Sequence, residues 1–228
     1  IAMAFGAAAG FFAVHALVTP AVLVRGPNAA FLLSTPAGLV LAGAFALAAS
    51  AELSPERAAR VARLRLPIVA ALLAGGIGWT AIAFVDGSPL AMPLGETDAV
   101  RWQQALAVLG LALFVPAVGL QARAYRQRPS VVLVSILTAS VLLAEALVVI
   151  AFARSWHVSW WLWHVLLVAA FGYVAYSAHV AYRREGGATA LFTALSLEET
   201  IDRIQEEHGA ALEALVAAID AEGTDVHA

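Results

Sequence analysis

The sequence contains neither lysine nor cysteine. Without lysine the chain cannot form a Schiff base with retinal or pyridoxal phosphate, and it cannot build a P-loop. Without cysteine, thiolate metal sites, iron–sulfur clusters, disulfides and cysteine nucleophiles are excluded. All thirteen basic residues are arginines. Histidine, glutamate and tyrosine are therefore left as the side chains for site chemistry.

Charge is also scarce, since only 13% of the 228 residues are charged and 62% are hydrophobic. Soluble domains have roughly 45–50% apolar and about 25% charged residues. The mean hydropathy of +0.85 therefore excludes a soluble globular enzyme. The net charge of −3 comes without a basic patch, which excludes nucleic acid as a partner.

Apolar segments dominate the first 185 residues, and each predicts a helix that crosses a bilayer of about 30 Å with about 20 residues. Polar or turn-forming residues separate them. The sequence predicts an all-α, polytopic six-helix transmembrane bundle over residues 1–185, followed by a cytoplasmic linker and an amphipathic helix over residues 186–228. The six predicted spans are residues 1–24, 28–51, 66–85, 102–122, 130–153 and 158–182.

The distribution of arginine predicts the orientation in the cell membrane, because short arginine-rich loops stay in the cytoplasm. The alternate loops contain few arginines and several carboxylates. Both termini are therefore predicted to be cytoplasmic, with membrane lipid around the bundle. The arginines that carry this prediction follow the second, fourth and sixth spans: Arg57, Arg60, Arg63, Arg65, Arg123, Arg126, Arg128, Arg183 and Arg184.

The tail has a different composition from the spans. Gly186 and Gly187 break the sixth helix, and the Ser196-Leu-Glu-Glu199 segment is a capping box that opens a new helix. Apolar positions at 3-4 spacing predict a parallel dimer through this helix; a helix lying against the membrane domain is the alternative. His208 occupies a core position and is a candidate pH-sensitive element. The residues at these spaced positions, which would form the dimer contact, are Leu197, Ile201, Ile204, His208, Ala211 and Leu215.

The end of the tail resembles two groups of bacterial signalling proteins. Residues 212–222, Leu-Glu-Ala-Leu-Val-Ala-Ala-Ile-Asp-Ala-Glu, resemble the lead helix before the first metal-binding histidine of HD-GYP cyclic-dinucleotide phosphodiesterases. A membrane bundle with a short helical transducer is similar to the sensor halves of membrane nucleotide cyclases. The resemblance implies a cytoplasmic output domain of second-messenger type beyond residue 228. The chain itself contains no HD pair, GYP triplet or cyclase metal motif, so no catalytic residue is carried over.

Ionisable side chains inside the predicted spans are candidates for function, because they are costly at bilayer depth. Counting about 1.5 Å per residue from the outer helix ends places His15, Glu145 and His164 in one layer. This layer predicts a site for one transition-metal ion or one haem b. A buried hydrogen-bonded pair and a protonation switch are the alternatives. His157 in the outer loop and His179 near the inner surface are additional candidates.

Three functions follow from these features. The first is a membrane sensor that passes a ligand, metal, redox or pH signal through the sixth helix and Gly186-Gly187 to a cytoplasmic output domain. The second is a haem- or metal-binding redox subunit. The third is a transporter or structural membrane subunit, although the spans show no inverted repeat. No catalytic motif is present, so we expect enzymatic activity only in a further phosphodiesterase or cyclase domain.

Overall fold

The computed structural model describes residues 1–51 and 55–185, which form six α-helices. Within these ranges the backbone forms no strand, and a single isolated bridge joins Pro20 to Val24. The prediction of an all-α fold is confirmed. The helices are α1 (Ala2–Leu17), α2 (Ala29–Ser50), α3 (Pro55–Ala83), α4 (Glu96–Gln127), α5 (Val131–Phe152) and α6 (Val158–Glu185).

Five of the helices are long and apolar enough to cross a membrane, and α1 is apolar but shorter, at 16 residues. Large apolar side chains cover much of the outer surface; Leu66 is 72% exposed, Val108 68% and Val168 67%. Soluble proteins avoid contiguous exposed apolar surface of this kind. The described helices therefore have the properties of a multi-pass membrane protein.

The first helix is shorter than predicted, because it ends at Leu17 instead of continuing through residue 24. Pro20 lacks an N–H group and disfavours helical geometry in the residue before it. Ala21 then has a φ of 70°, which reverses the chain direction. Asn28 caps the next helix, since its side chain accepts a hydrogen bond from a backbone N–H of the first turn of α2.

Close packing of α2 against α1, and of α4 against α5, depends on glycine. A Cβ at Gly38 of α2 would overlap the side chain of Phe11 in α1. A Cβ at Gly110 of α4 would overlap Leu147 of α5 in the same way. Small residues at such positions let helix backbones approach closely, which is the main source of helix association in lipid. The α2 helix packs between α1 and α4 and forms the centre of the bundle.

The α3 helix packs more loosely than the others. Trp79 attaches it, since the indole Nε1 donates a hydrogen bond of 2.9 Å to Ser34 Oγ in α2. The same ring makes an edge contact with Phe11, at a centroid distance of 5.6 Å. An apolar groove of about 880 Å³ separates α3 from α1, and another of about 580 Å³ lies between α3 and α2. The lipid-facing exposure of α3 follows from these gaps.

The α6 helix contacts α1 through aromatic side chains. Phe5 meets Phe171 at 5.8 Å between ring centroids, and Phe12 meets Trp163 at 6.1 Å. Residues Ile1–Ala175 form one compact unit, while the last turns of α6 from Tyr176 belong to a second. The predicted signal-transmission residues and the coiled-coil helix lie outside the described residues; these are Gly186, Gly187, His208 and the rest of residues 186–228.

Candidate functional site

Two of the predicted site residues meet between α1 and α6. His15 lies in the last turn of α1 and is only 4% exposed. His164 lies in α6 and is partly buried. Their ring centroids are 5.8 Å apart, and the planes are tilted by 56°. The structure therefore brings together the two histidines that the depth count placed in one layer.

Both imidazoles are held in the same tautomer. Nδ1 of His15 donates to the Phe31 carbonyl oxygen at 2.7 Å, which ties α1 to the first turn of α2. Nδ1 of His164 donates to the Trp160 carbonyl at 2.7 Å, one turn earlier in α6. A carbonyl oxygen can only accept, so Nδ1 carries the proton in both rings. In the neutral ring, Nε2 of each histidine is left with a free lone pair.

Aromatic rings surround the histidine pair. Phe31 stacks on His15 with 4.5 Å between the ring centroids, and Trp163 stacks on His164 with 3.5 Å between the centroids. The ring centroid of Trp160 lies 4.1 Å from that of His164. Trp163 also meets His15 edge-on, with 5.3 Å between the centroids. Both tryptophans are buried, at 8% and 4% exposure. The indole rings therefore report on this site as well as filling the space between α1 and α6.

A small cavity of about 20 Å³ lies beside His15, at the junction of α1, α2, α4, α5 and α6. This volume is about that needed for one water molecule. Its wall contains polar groups as well as apolar ones, and it is the place where five helices meet. The lining residues are His15, Phe31, Leu32, Thr35, Pro36, Gln103, Ile150, Ala153, Ser155, Trp160 and Trp163.

Two polar atoms in this wall have no hydrogen-bond partner within residues 1–51 and 55–185: Nε2 of His15 and Oγ1 of Thr35. Thr35 is only 3% exposed, so its hydroxyl has no access to bulk solvent. Pro36 has no N–H, which leaves the Leu32 carbonyl without its intrahelical donor. The wall therefore offers an unpartnered acceptor at His15 Nε2 beside a hydroxyl that can either donate or accept. A water-sized hydrogen-bond donor or a small cation suits this set of groups.

The predicted haem does not fit this arrangement. A porphyrin needs a pocket of the several-hundred Å³ class that holds organic ligands, whereas the cavity measures about 20 Å³. Aromatic rings occupy the space around both histidines. A single metal ion does not need a pocket of that size. In the described part of the chain, however, no group of three or more His, Asp or Glu side chains is arranged around one point.

Glu145 does not join the two histidines. It is exposed on α5, whereas Leu143 and Ala146 of the same helix are buried in the bundle. The depth count fixes the height of a residue along a helix but not its direction around the axis, and at 3.6 residues per turn Glu145 faces outward. His157 in the α5–α6 loop and His179 in α6 are also exposed, so neither extends the site.

Thr35 and Gln103 line the cavity although the sequence did not indicate them as site residues. Thr35 immediately precedes Pro36 in an apolar span, and that pairing of a hydroxyl with a freed carbonyl is a recognisable local signal. Gln103 lies near the start of α4, where a polar residue is typical of a helix end that is exposed to water. Only the packing of α4 against α2 brings it to the cavity.

Comparisons with protein-family models, curated proteins and solved structures find no match for this chain. The resemblance of residues 212–222 to HD-GYP phosphodiesterases and to cyclase transducers therefore stays a prediction.

Proposed function

We propose that the chain is a membrane-embedded sensory domain whose input site is the cavity beside His15. One observation carries the proposal: two buried polar atoms that have no hydrogen-bond partner among the described residues, His15 Nε2 and Thr35 Oγ1, line one water-sized cavity at a five-helix junction. A buried polar atom without a partner is costly, typically about 1–3 kcal/mol. A site that keeps two unpartnered polar atoms is suited to a species that binds reversibly.

The position of the cavity supports a sensory role. Residues of α1, α2, α4, α5 and α6 all contribute to its wall, so a change in occupancy alters the packing of every helix except α3. The α6 helix contributes Trp160 and Trp163 and continues to Glu185. In the proposal, α6 passes the change through Gly186-Gly187 to the tail helix, a parallel dimer, and then to a cytoplasmic output domain of second-messenger type.

The topology of the proposal follows the arginine distribution. The arginine-rich start of α3 and end of α4 face the cytoplasm together with both termini, and the cell membrane surrounds the bundle. The cavity then lies toward the outer surface, because the end of α1 and the start of α6 are outer ends. A small polar signal from outside therefore reaches His15 without crossing the whole bilayer.

The signal belongs to a narrow chemical class. The cavity has room for a water-sized species, and its wall offers the His15 Nε2 lone pair and the Thr35 hydroxyl. Binding of a proton at Nε2 would convert an acceptor into a donor and reverse its bonding to any neighbour in the cavity. Binding of one metal ion would use the same lone pair. Both changes alter the contacts between α1 and α6.

Tryptophan fluorescence of the full chain in lipid nanodiscs tests the proposal, since Trp160 and Trp163 surround the site. We expect a fluorescence change on titration with acid, Zn²⁺ or Cu²⁺, and loss of that change in His15→Gln. His179→Gln is the matched control, because this histidine is exposed on α6, and it should respond like the natural sequence. An unchanged response in His15→Gln, or no response to any titrant, would reject the input site.

A metal-binding membrane subunit is the second candidate. The observation that favours it is the bond from each Nδ1–H to a backbone carbonyl, at 2.7 Å for both His15 and His164. Metal-ligating histidines are usually oriented by such a bond from the other ring nitrogen. Metal analysis of purified protein separates the candidates. A stoichiometric transition metal that is lost in both His15→Ala and His164→Ala supports the subunit, whereas metal-free protein that responds to acid supports the sensor.

A further inference from the structure

Glu145 is the single charged residue of α5, a 22-residue helix with a mean hydropathy of 2.5 in its most apolar window. Its side chain is exposed on the bundle surface. It makes no hydrogen bond or ion pair with any residue in the described ranges. An ionisable side chain inside a span normally faces a protein interior or a polar cavity, because contact with lipid is unfavourable. The position of Glu145 therefore calls for a protein partner outside this bundle.

The residues around Glu145 form a regular seam along the outer face of α5. Their spacing alternates between three and four residues, which is the heptad pattern of helices that pack in a left-handed coil. None of them is buried, while the opposite face of α5 packs into the bundle. We call these residues the α5 seam: Val131, Val134, Thr138, Val141, Glu145, Val148 and Phe152.

We propose that the α5 seam is a homodimer interface within the membrane, in which Glu145 of each copy bonds to Glu145 of the other. This proposal does not depend on the sensory function proposed above. It places the second copy directly against α5, in addition to any contact made by the tail helix.

Symmetry favours a second copy as the occupant. A two-fold axis along the membrane normal keeps each residue at its own depth, so the two Glu145 side chains meet at the same level. A protonated carboxyl group is both donor and acceptor, and two of them complement each other without a cation. The seam offers no cation. Glu145 is the one ionisable position of the α5 seam, and a polar residue at a single position of such a seam fixes the register of a helix pair.

The absence of cysteine from the chain makes a cross-linking test clean. We expect Val148→Cys in the full chain to give a disulfide-linked dimer when liposomes are oxidised with copper phenanthroline. Val165→Cys is the control, since Val165 is exposed on α6 to a greater extent, at 60% against 43%. Equal cross-linking at both positions, or none at Val148, would overturn the proposal, even if the copies associate through the tail.

Substitution of Glu145 tests the polar contact. Glu145→Gln keeps a donor and an acceptor and should retain the dimer. Glu145→Leu should weaken dimerisation roughly three- to thirtyfold, the range that interhelical hydrogen bonds in membranes span. Dilution in liposomes, followed by energy transfer between labelled copies, measures the change. Thermal stability of each variant separates a lost contact from a misfolded chain. A folded Glu145→Leu variant with unchanged dimerisation would exclude the Glu145 pair.

Discussion

Replacing Thr35 with valine separates a cavity that binds a polar species from a cavity that stays dry. The exchange keeps the branched shape of the side chain and removes the hydroxyl that has no partner in the described protein. If nothing bonds to this hydroxyl, its burial costs about 1–3 kcal/mol, and valine should stabilise the fold by that amount. If a bound species accepts or donates there, valine instead removes a hydrogen bond worth about 0.5–1.5 kcal/mol.

The two cases differ in sign, and the size of the difference is measurable. For a chain of 150–250 residues, 1 kcal/mol shifts Tm by about 2–4 °C. A dry cavity therefore predicts a rise in Tm of about 2–12 °C, whereas the proposed input site predicts a fall of about 1–6 °C. We expect the fall, together with loss of the fluorescence response to acid or metal.

Tryptophan fluorescence during a thermal ramp in detergent or nanodiscs is a suitable assay. Thr80→Val is the matched control, because the Thr80 hydroxyl already donates to the Gly76 carbonyl at 2.7 Å. That variant should lose a small amount of stability and keep the full fluorescence response. A Thr35→Val protein with a Tm several degrees above the natural sequence would refute the reasoning that makes this cavity a binding site.

Two further substitutions test the packing that positions the site. Gly38→Ala should destabilise the fold by about 1–3 kcal/mol, because the added Cβ overlaps Phe11. Gly10→Ala should be neutral or stabilising, because the added Cβ meets open space. A thermal ramp on both variants measures the difference in stability. Trp79→Phe removes the bond to Ser34 and should cost about 0.5–1.5 kcal/mol, with faster cleavage of α3 by protease; an unchanged cleavage rate would show that α3 is held by other contacts.

Hydropathy located the helices because length and apolar content are local properties of the chain. Helix ends were predicted less well. The α3 helix begins at Pro55, eleven residues before the predicted span at residue 66, because arginine and alanine both favour helix while the arginines lower the hydropathy of this segment. The α1 helix stops early at Leu17 because of the turn around Pro20. Hydropathy identifies the part of a helix that suits lipid, and helices extend or stop according to backbone chemistry.

The candidate site was only partly predictable for a geometric reason. Helix rise places His15 and His164 at one depth, and the structure brings them together. The same count includes Glu145, which faces outward because depth carries no information about rotation around the axis. The cavity was not predictable, since it requires Thr35 of α2 and Gln103 of α4 to converge, and that depends on how the helices pack.

The two proposals meet on α5. Ile150 lines the cavity, and Glu145 lies on the outer seam of the same helix, about 7.5 Å away along the axis at 1.5 Å per residue. If occupancy of the cavity moves α5, it changes the contact between copies. Thermodynamic linkage then requires the reverse effect of equal size: a ligand that strengthens dimerisation tenfold must itself bind the dimer ten times more tightly than the monomer. Titrating the fluorescence response of the natural chain and of Glu145→Leu at one protein concentration measures this coupling, and identical midpoints in the two proteins would show that the site and the seam act independently.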